Sequence, residues 1–191
     1  MQTTPPHYKS DKGWIEVICG SMFSGKTEEL LRRVRRAQHA KIKCIIFKPE
    51  IDDRYGSDRV QSHDSNFEKC IPIKKASDIH IHLDGHQLIA IDEVQFLDEE
   101  IIEISRSLAD QNKQVLLAGL DMDANRKPFG YMPALMAQAE HLTKLHAVCS
   151  NCGSLAGFTV RLSNVKAQVQ VGGKEQYDAL CRACYLQRSK K

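Results

Sequence analysis

Three things are scarce in this chain of 191 residues: long apolar runs, an excess of charge of one sign, and repetition. No segment approaches the roughly 18 uninterrupted apolar residues of a membrane helix. The opening "MQTTPPHYKSDKG" lacks an apolar core of the length a signal peptide needs. Both absences lead to the expectation of a cytoplasmic protein with no membrane partner. Lys and Arg number 27 against 24 Asp and Glu, which makes no case for a nucleic-acid-binding surface. Arginines 32, 33, 35 and 36 do cluster, but on a helix they scatter around its outer faces and read as a solvated surface. Internal repeats and low-complexity segments are absent. What remains is ordinary: 42% hydrophobic and 27% charged residues, enough to bury a core, in a length that suits one domain and a small appendage.

Apolar patterning supplies the elements. "WIEVIC" (14–19) is short, β-rich and stopped by Gly20, and reads as a first strand. From Thr27 the apolar positions Leu30, Leu31, Val34 and Ala37 recur at helical spacing. "KCIIFKP" (43–49) is a second strand, and the polar stretch 50–66 an exposed connection. "HQLIAIDEVQF" (86–96) contains the near-continuous apolar run of a central parallel strand. An acidic first turn opens a helix over 98–112, followed by a buried strand at 114–120, a short helix at 132–140 and a last strand at 141–148. Strand and helix alternate throughout, so the expected class is α/β, with a parallel sheet covered by helices on both faces. At Cys149 the composition changes, and β-like stretches at 158–162 and 167–171 mark a second, smaller unit.

Gly20-Ser21-Met22-Phe23-Ser24-Gly25-Lys26-Thr27 satisfies G-x-x-x-x-G-K-[ST], with a strand before it and a helix after it. The glycines allow backbone angles that aim successive amides at one anion. The helix N-terminus adds partial positive charge. Lys26 can then bridge the outer phosphates of a nucleoside triphosphate, and the Thr27 hydroxyl can ligate Mg²⁺. Asp92 and Glu93 end the apolar run Leu88–Ile91, where an acid can hold Mg²⁺ through water. Asp92 is the metal partner. Glu93 is either a general base or part of an acidic helix start, and the spacing does not choose between them.

Cys149-x-x-Cys152 and Cys181-x-x-Cys184 have the short spacing that brings both sulfurs of a pair to one ion. Two such pairs in a small unit favour structural Zn²⁺ over a redox dithiol or unrelated buried thiols. Four sulfurs would close the coordination shell, so the zinc would not be catalytic. The 28 residues between the pairs require an extended loop to project from the metal. Cys19 and Cys44, by contrast, read as buried small hydrophobes within strands.

The combination resembles the type II thymidine kinases, those of the cytosolic human and common bacterial kind, from about Gly13 to Tyr185. The segments that carry it are "GSMFSGKTEELLRR", "FKPEIDDRY", "IDEVQF", "GLDMDANRKPFG", "CSNCGSLAGFTVR" and "VGGKEQYDALCRACY". The resemblance implies a RecA-like P-loop nucleoside-kinase domain over 14–148 and a zinc-ribbon or lasso domain over 149–185. A flexible N-terminus (1–13) and a basic tail (186–191) complete the division. Also implied is transfer of the ATP γ-phosphate to the 5′-hydroxyl of thymidine or deoxyuridine, with Glu93 as catalytic base. The residues matching the family's base-binding positions are Met22, Phe96, Leu120, Phe129, Thr159, Gln168, Gln170, Val171, Gly172 and Tyr177. The last of these lie on or beside a long substrate-covering loop, about Ser163 to Tyr177. Arg54 matches an arginine near the phosphates, and Asp52 an acid in the same connection. A homotetramer and end-product inhibition by dTTP are further implications.

One position departs from the pattern. Family members usually carry an aromatic where this chain has Ala124, so a looser base pocket is expected unless Met122 or a neighbour fills the space. Outside this family, the motifs also admit a P-loop motor acting on nucleic acid, or a zinc-ribbon binding module fused to a nucleotide-gated switch.

Overall fold

The computed structural model describes residues 12–51, 59–61, 67–162 and 175–188. Strand β1 (Trp14–Gly20) leads through a loop into helix α1 (Lys26–His39), and β2 (Cys44–Pro49) follows. Next come β3 (Arg59–Gln61), β4 (Phe67–Lys69) and β5 (Ile71–Ile73), a 3₁₀ turn over Ala76–His82, and β6 (Leu88–Ile91). A second 3₁₀ turn, Val94–Phe96, precedes α2 (Glu100–Asp110), β7 (Gln114–Leu120), α3 (Met132–Gln138) and β8 (His141–Leu145). The C-terminal unit holds β9 (Ala147–Val148), β10 (Leu155–Ala156), β11 (Phe158–Arg161), β12 (Tyr177–Leu180) and α4 (Arg182–Arg188).

Six strands form one sheet in the order β5-β2-β6-β7-β1-β8, and every pairing within it is parallel. Period-two alternation sends the two sets of strand side chains to opposite faces. Ile15, Val17, Ile89, Ile91, Val115 and Leu117 pack against α2, α3 and the first 3₁₀ turn. Ile18, Ile46, Leu88, Ala90, Leu116 and Ala118 pack against Leu30, Leu31, Val34 and Ala37 of α1. The helical stripe expected for α1 is therefore the buried one. Each of its fully buried Leu and Val side chains contributes about 1.5–3 kcal/mol.

Several expectations are corrected. The stretch after β2 is more structured than a plain connection, since β3 pairs antiparallel with β4 and β5 joins the sheet edge beside β2. These strands are three residues each, too short for a periodic signal. The run at 86–96 yields a strand only over Leu88–Ile91, because Glu93 takes the left-handed region and starts the second 3₁₀ turn. Residues 147–148 leave the parallel sheet and pair antiparallel with β10. Helix α4 runs through Arg188, so the first three residues of the supposed tail are helical. The stretch 167–171 lies outside the described residues.

Arg33 departs furthest from expectation. Instead of lying on a solvated surface it is 4% exposed, paired with Glu16 of β1, with Glu29 at 2.8 Å and with the Thr143 hydroxyl of β8 at 2.9 Å. Glu16 points toward α1 from within an apolar strand and is itself 5% exposed. A buried carboxylate is stabilised by a paired cation, and the Arg33 guanidinium reaches it from the helix. Removing one partner strands a buried charge. Arg33→Ala should therefore destabilise the protein by about 3–5 kcal/mol, and Arg32→Ala, whose pair with Glu29 is exposed, by at most about 1 kcal/mol. Denaturant unfolding of the two variants reads the contrast.

Candidate active site

Strand β1 ends at Gly20, whose φ is 147°, and a Cβ there would sit 2.3 Å from the carbonyl oxygen of Leu145. Only glycine lets the chain turn so close to β8. Gly25, with φ 83°, caps α1 and turns the loop's amides toward the helix start. Lys26 is buried, and its ammonium donates to the Ser21 carbonyl at 2.8 Å. These are the features of an anion cradle.

β6 brings the acids to the same edge of the sheet, with β7 lying between it and β1. The Thr27 hydroxyl donates to Asp92 Oδ2 at 3.0 Å, across 65 positions of sequence. Asp92 is 5% exposed, and its other oxygen accepts from the Glu93 amide at 3.0 Å. A hydroxyl and a buried carboxylate meeting beside a phosphate cradle suit an octahedral, oxygen-loving cation such as Mg²⁺. Glu93 holds φ at 51°, a conformation that costs a non-glycine residue on the order of 1–3 kcal/mol and gathers at functional sites. Its carboxylate accepts from Gln95 Nε2 at 2.6 Å. No sequence motif singled out Gln95; its amide becomes visible only when the turn after β6 folds against β7.

Met22, Leu120, Phe129 and Tyr177 form one buried cluster, with Phe23, Phe96 and Ala124 packed against it. Phe96 and Phe129 meet edge to face at 5.6 Å. Five of the residues singled out by resemblance thus converge from four parts of the chain. Ala124 lies against this group, whereas Met122 is not among its described members. Thr159 is buried, and its hydroxyl accepts from the Met22 amide at 2.9 Å. Gln168, Gln170, Val171 and Gly172 fall outside the described residues, as do Arg54 and Asp52.

The C-terminal unit is built on its cysteines. The four Sγ atoms of Cys149, Cys152, Cys181 and Cys184 all lie within 4.8 Å of one another, and Cys152 and Cys181 are 3.6 Å apart. A tetrahedral ion with metal–sulfur bonds of about 2.3 Å needs sulfurs about 3.8 Å apart, so the cage fits Zn²⁺. Gly153, φ 75°, makes the turn that returns its amide to the Cys149 carbonyl at 2.8 Å. Hydrogen bonds from Ser154, side chain then backbone, bring Cys152 down to about 6. Cys184 is pushed up to about 12: the Asn151 amide is the largest influence and lowers it, but the neighbouring sulfurs of Cys152 and Cys181, with burial, outweigh it. Four thiolates at this spacing repel, and a cation is what lets them ionise together. β11 and β12 pair antiparallel, in register from Phe158↔Leu180 to Arg161↔Tyr177, and Cys181 directly follows β12.

Of the remaining cysteines, Cys19 is fully buried in β1, and burial pushes its thiol up to about 11. Cys44, at the start of β2, is only half-buried.

A strand–loop–helix phosphate cradle facing an acidic strand tip defines a P-loop nucleotide-binding α/β protein. The sequence pattern of one family, described as "Thymidine kinase", matches residues 13–185. Proteins named "Thymidine kinase" in two strains of Porphyromonas gingivalis are 50% identical over 174 residues, spanning 91% of this chain and 85% of theirs. The chain belongs to the thymidine kinase family. Among solved structures, AMPPCP-bound DnaA from Aquifex aeolicus is 16% identical with a TM-score of 0.45, over 72% of this chain and 42% of that one. A likeness so distant says nothing about activity.

The sulfur cage makes a direct prediction. The protein should bind one divalent metal ion per chain, and its Co²⁺ form should show the thiolate absorption of a tetrahedral site. Cys152→Ser should weaken retention of the ion, as measured by metal analysis after dialysis against a chelator.

Proposed function

We propose that the chain transfers the γ-phosphoryl group of ATP to the 5′-hydroxyl of thymidine, and of deoxyuridine, giving the monophosphate that salvage supplies to DNA synthesis. The single observation that carries this reading is the meeting of Thr27 with Asp92 at 3.0 Å, with the Glu93 amide on the other oxygen of that carboxylate. Family membership names the acceptor nucleoside.

The reaction is a direct in-line displacement, in which little covalent work falls to the protein and positioning dominates. Amides of residues 20–27 and the Lys26 ammonium hold the phosphates. Thr27 and Asp92 would hold Mg²⁺, which when bound neutralises charge on the β- and γ-phosphate oxygens. Glu93 takes the proton of the 5′-hydroxyl as that oxygen bonds to the γ-phosphorus. The bond from the γ-phosphorus to the bridging oxygen breaks, and ADP leaves. Arg54 offsets charge on the moving phosphoryl group. Met22, Phe96, Leu120, Phe129 and Tyr177 form the slot for the flat pyrimidine. Thr159, Gln168, Gln170, Val171 and Gly172 provide directed hydrogen bonds, several from the main chain. The four cysteines would hold a structural Zn²⁺, which would brace the C-terminal unit. The resemblance supports a homotetramer in the cytoplasm and dTTP as an end-product inhibitor occupying the same pocket. Among the described residues, no helix is long and apolar enough to cross a membrane.

The deciding experiment incubates the protein with ATP, Mg²⁺ and thymidine. Thymidine monophosphate should form, whereas ATP hydrolysis that needs nucleic acid and no nucleoside would instead indicate a motor. Glu93→Gln should lower kcat by about 10²–10⁴-fold while leaving thymidine affinity in place, and equal losses in both would remove the base role. Ala124→Phe should lower the thymidine KM by roughly five-fold, the equivalent of about 1 kcal/mol of ring contact. An unchanged KM would mean that the slot is already closed by other side chains.

A further inference from the structure

We propose that Gln95 is the positioning residue of the reaction, fixing the direction in which the Glu93 carboxylate points. The inference rests on the reading of Glu93 as the base and adds the device that aims it. Gln95 sits in the middle of the 3₁₀ turn Val94–Phe96 and is 3% exposed, an unusual depth for an amide side chain. Both ends of the amide are engaged. Its Oε1 accepts from the Leu120 amide at 3.0 Å, and its Nε2 donates to Glu93 Oε2 at 2.6 Å. Because a backbone N–H can only donate, the oxygen end is assigned by chemistry, and the nitrogen must face the carboxylate.

The sheet explains why the glutamine is held there. β6 ends at Ile91 opposite Leu117, three residues short of the end of β7. Past that point Leu120 has no neighbour on β6, and the side chain of Gln95 takes the vacated place. Two glycines leave the necessary room. A Cβ on Gly119 would come within 2.7 Å of Gln95 Oε1, and one on Gly130 within 2.6 Å of the Gln95 carbonyl oxygen. The orientation of Glu93 is thus referenced to β7, a strand buried along its whole length, and not to the mobile rotamers of its own chain. Glu93 needs such a reference, since its backbone is already held in the left-handed region. Leu120 and Phe96, on either side of the amide, also belong to or pack on the aromatic cluster. One amide therefore sets the base against the wall of the slot that holds the acceptor.

A role exercised through Glu93 has a signature that simple packing lacks. Gln95→Met keeps the length of the side chain and removes the donor. It should lower kcat by about 10- to 100-fold, with KM for thymidine and for ATP little changed. In a Glu93→Gln background the same substitution should change kcat by less than about two-fold, because the group it aims is no longer a base. Thermal unfolding of each variant shows whether it folds, and Gln95→Leu repeats the measurement at a different volume. An unchanged kcat in Gln95→Met overturns the proposal, as does an equal fold-loss in both backgrounds. If Glu93→Gln alone keeps full kcat, the base reading fails first; a damaged Glu93→Gln with an intact Gln95→Met sinks only the positioning role.

Discussion

The hydrogen bond from Thr27 to Asp92 is the contact that ties the phosphate loop to the acidic strand end, and it exists because one sheet carries both residues to the same edge. β1 delivers the phosphate loop and β6 the acids, with β7 between them setting the gap. All three strands are parallel and buried, so their carboxyl ends share a rim where loops can face a ligand. In open parallel sheets that rim is where ligands bind. The apolar bulk on both faces of the sheet keeps the spacing rigid, and catalysis by positioning needs that rigidity.

The C-terminal unit is joined to this rim by more than its chain connection. The Ser21 hydroxyl donates to the Ala156 carbonyl at 3.2 Å, and the Met22 amide to Thr159 at 2.9 Å. Phe23, forced to a φ of 63°, packs against both the core of the cysteine unit and the aromatic cluster. Three residues of the phosphate loop are therefore shaped by the small unit as well as by β1 and α1. A stacked group reinforces the join, with the Arg126 guanidinium 4.9 Å from the Tyr185 ring and that of Arg182 4.9 Å from Phe158. The cysteine unit and the phosphate loop constrain one another through these contacts.

Much of the fold was legible because its signals are local. The α1 stripe, the phosphate loop with its flanking strand and helix, and the paired cysteines each occupy a short window, and each appeared where expected. The α/β class followed from alternation alone. What escaped were features whose cause lies elsewhere in the chain. Arg33 looked solvated because nothing near it in sequence reveals Glu16 on the far side of a helix–sheet contact. β5 was hidden by its length, and the early end of β6 by a turn that an apolar run does not foreshadow.

The site divides along the same line. Sequence by itself determined the chemistry on offer: an anion cradle, two adjacent carboxylates and four thiols at ligand spacing, since each depends on residue type and short spacing. Tertiary structure alone decided which of these groups meet and in what pose. The aromatic cluster joins residues from positions 22 to 177, and Gln95 gains its partners only when β7 lies beside the turn after β6. Distances between segments far apart in a chain are set by packing, and packing is a property of the whole sheet that no single window of residues contains.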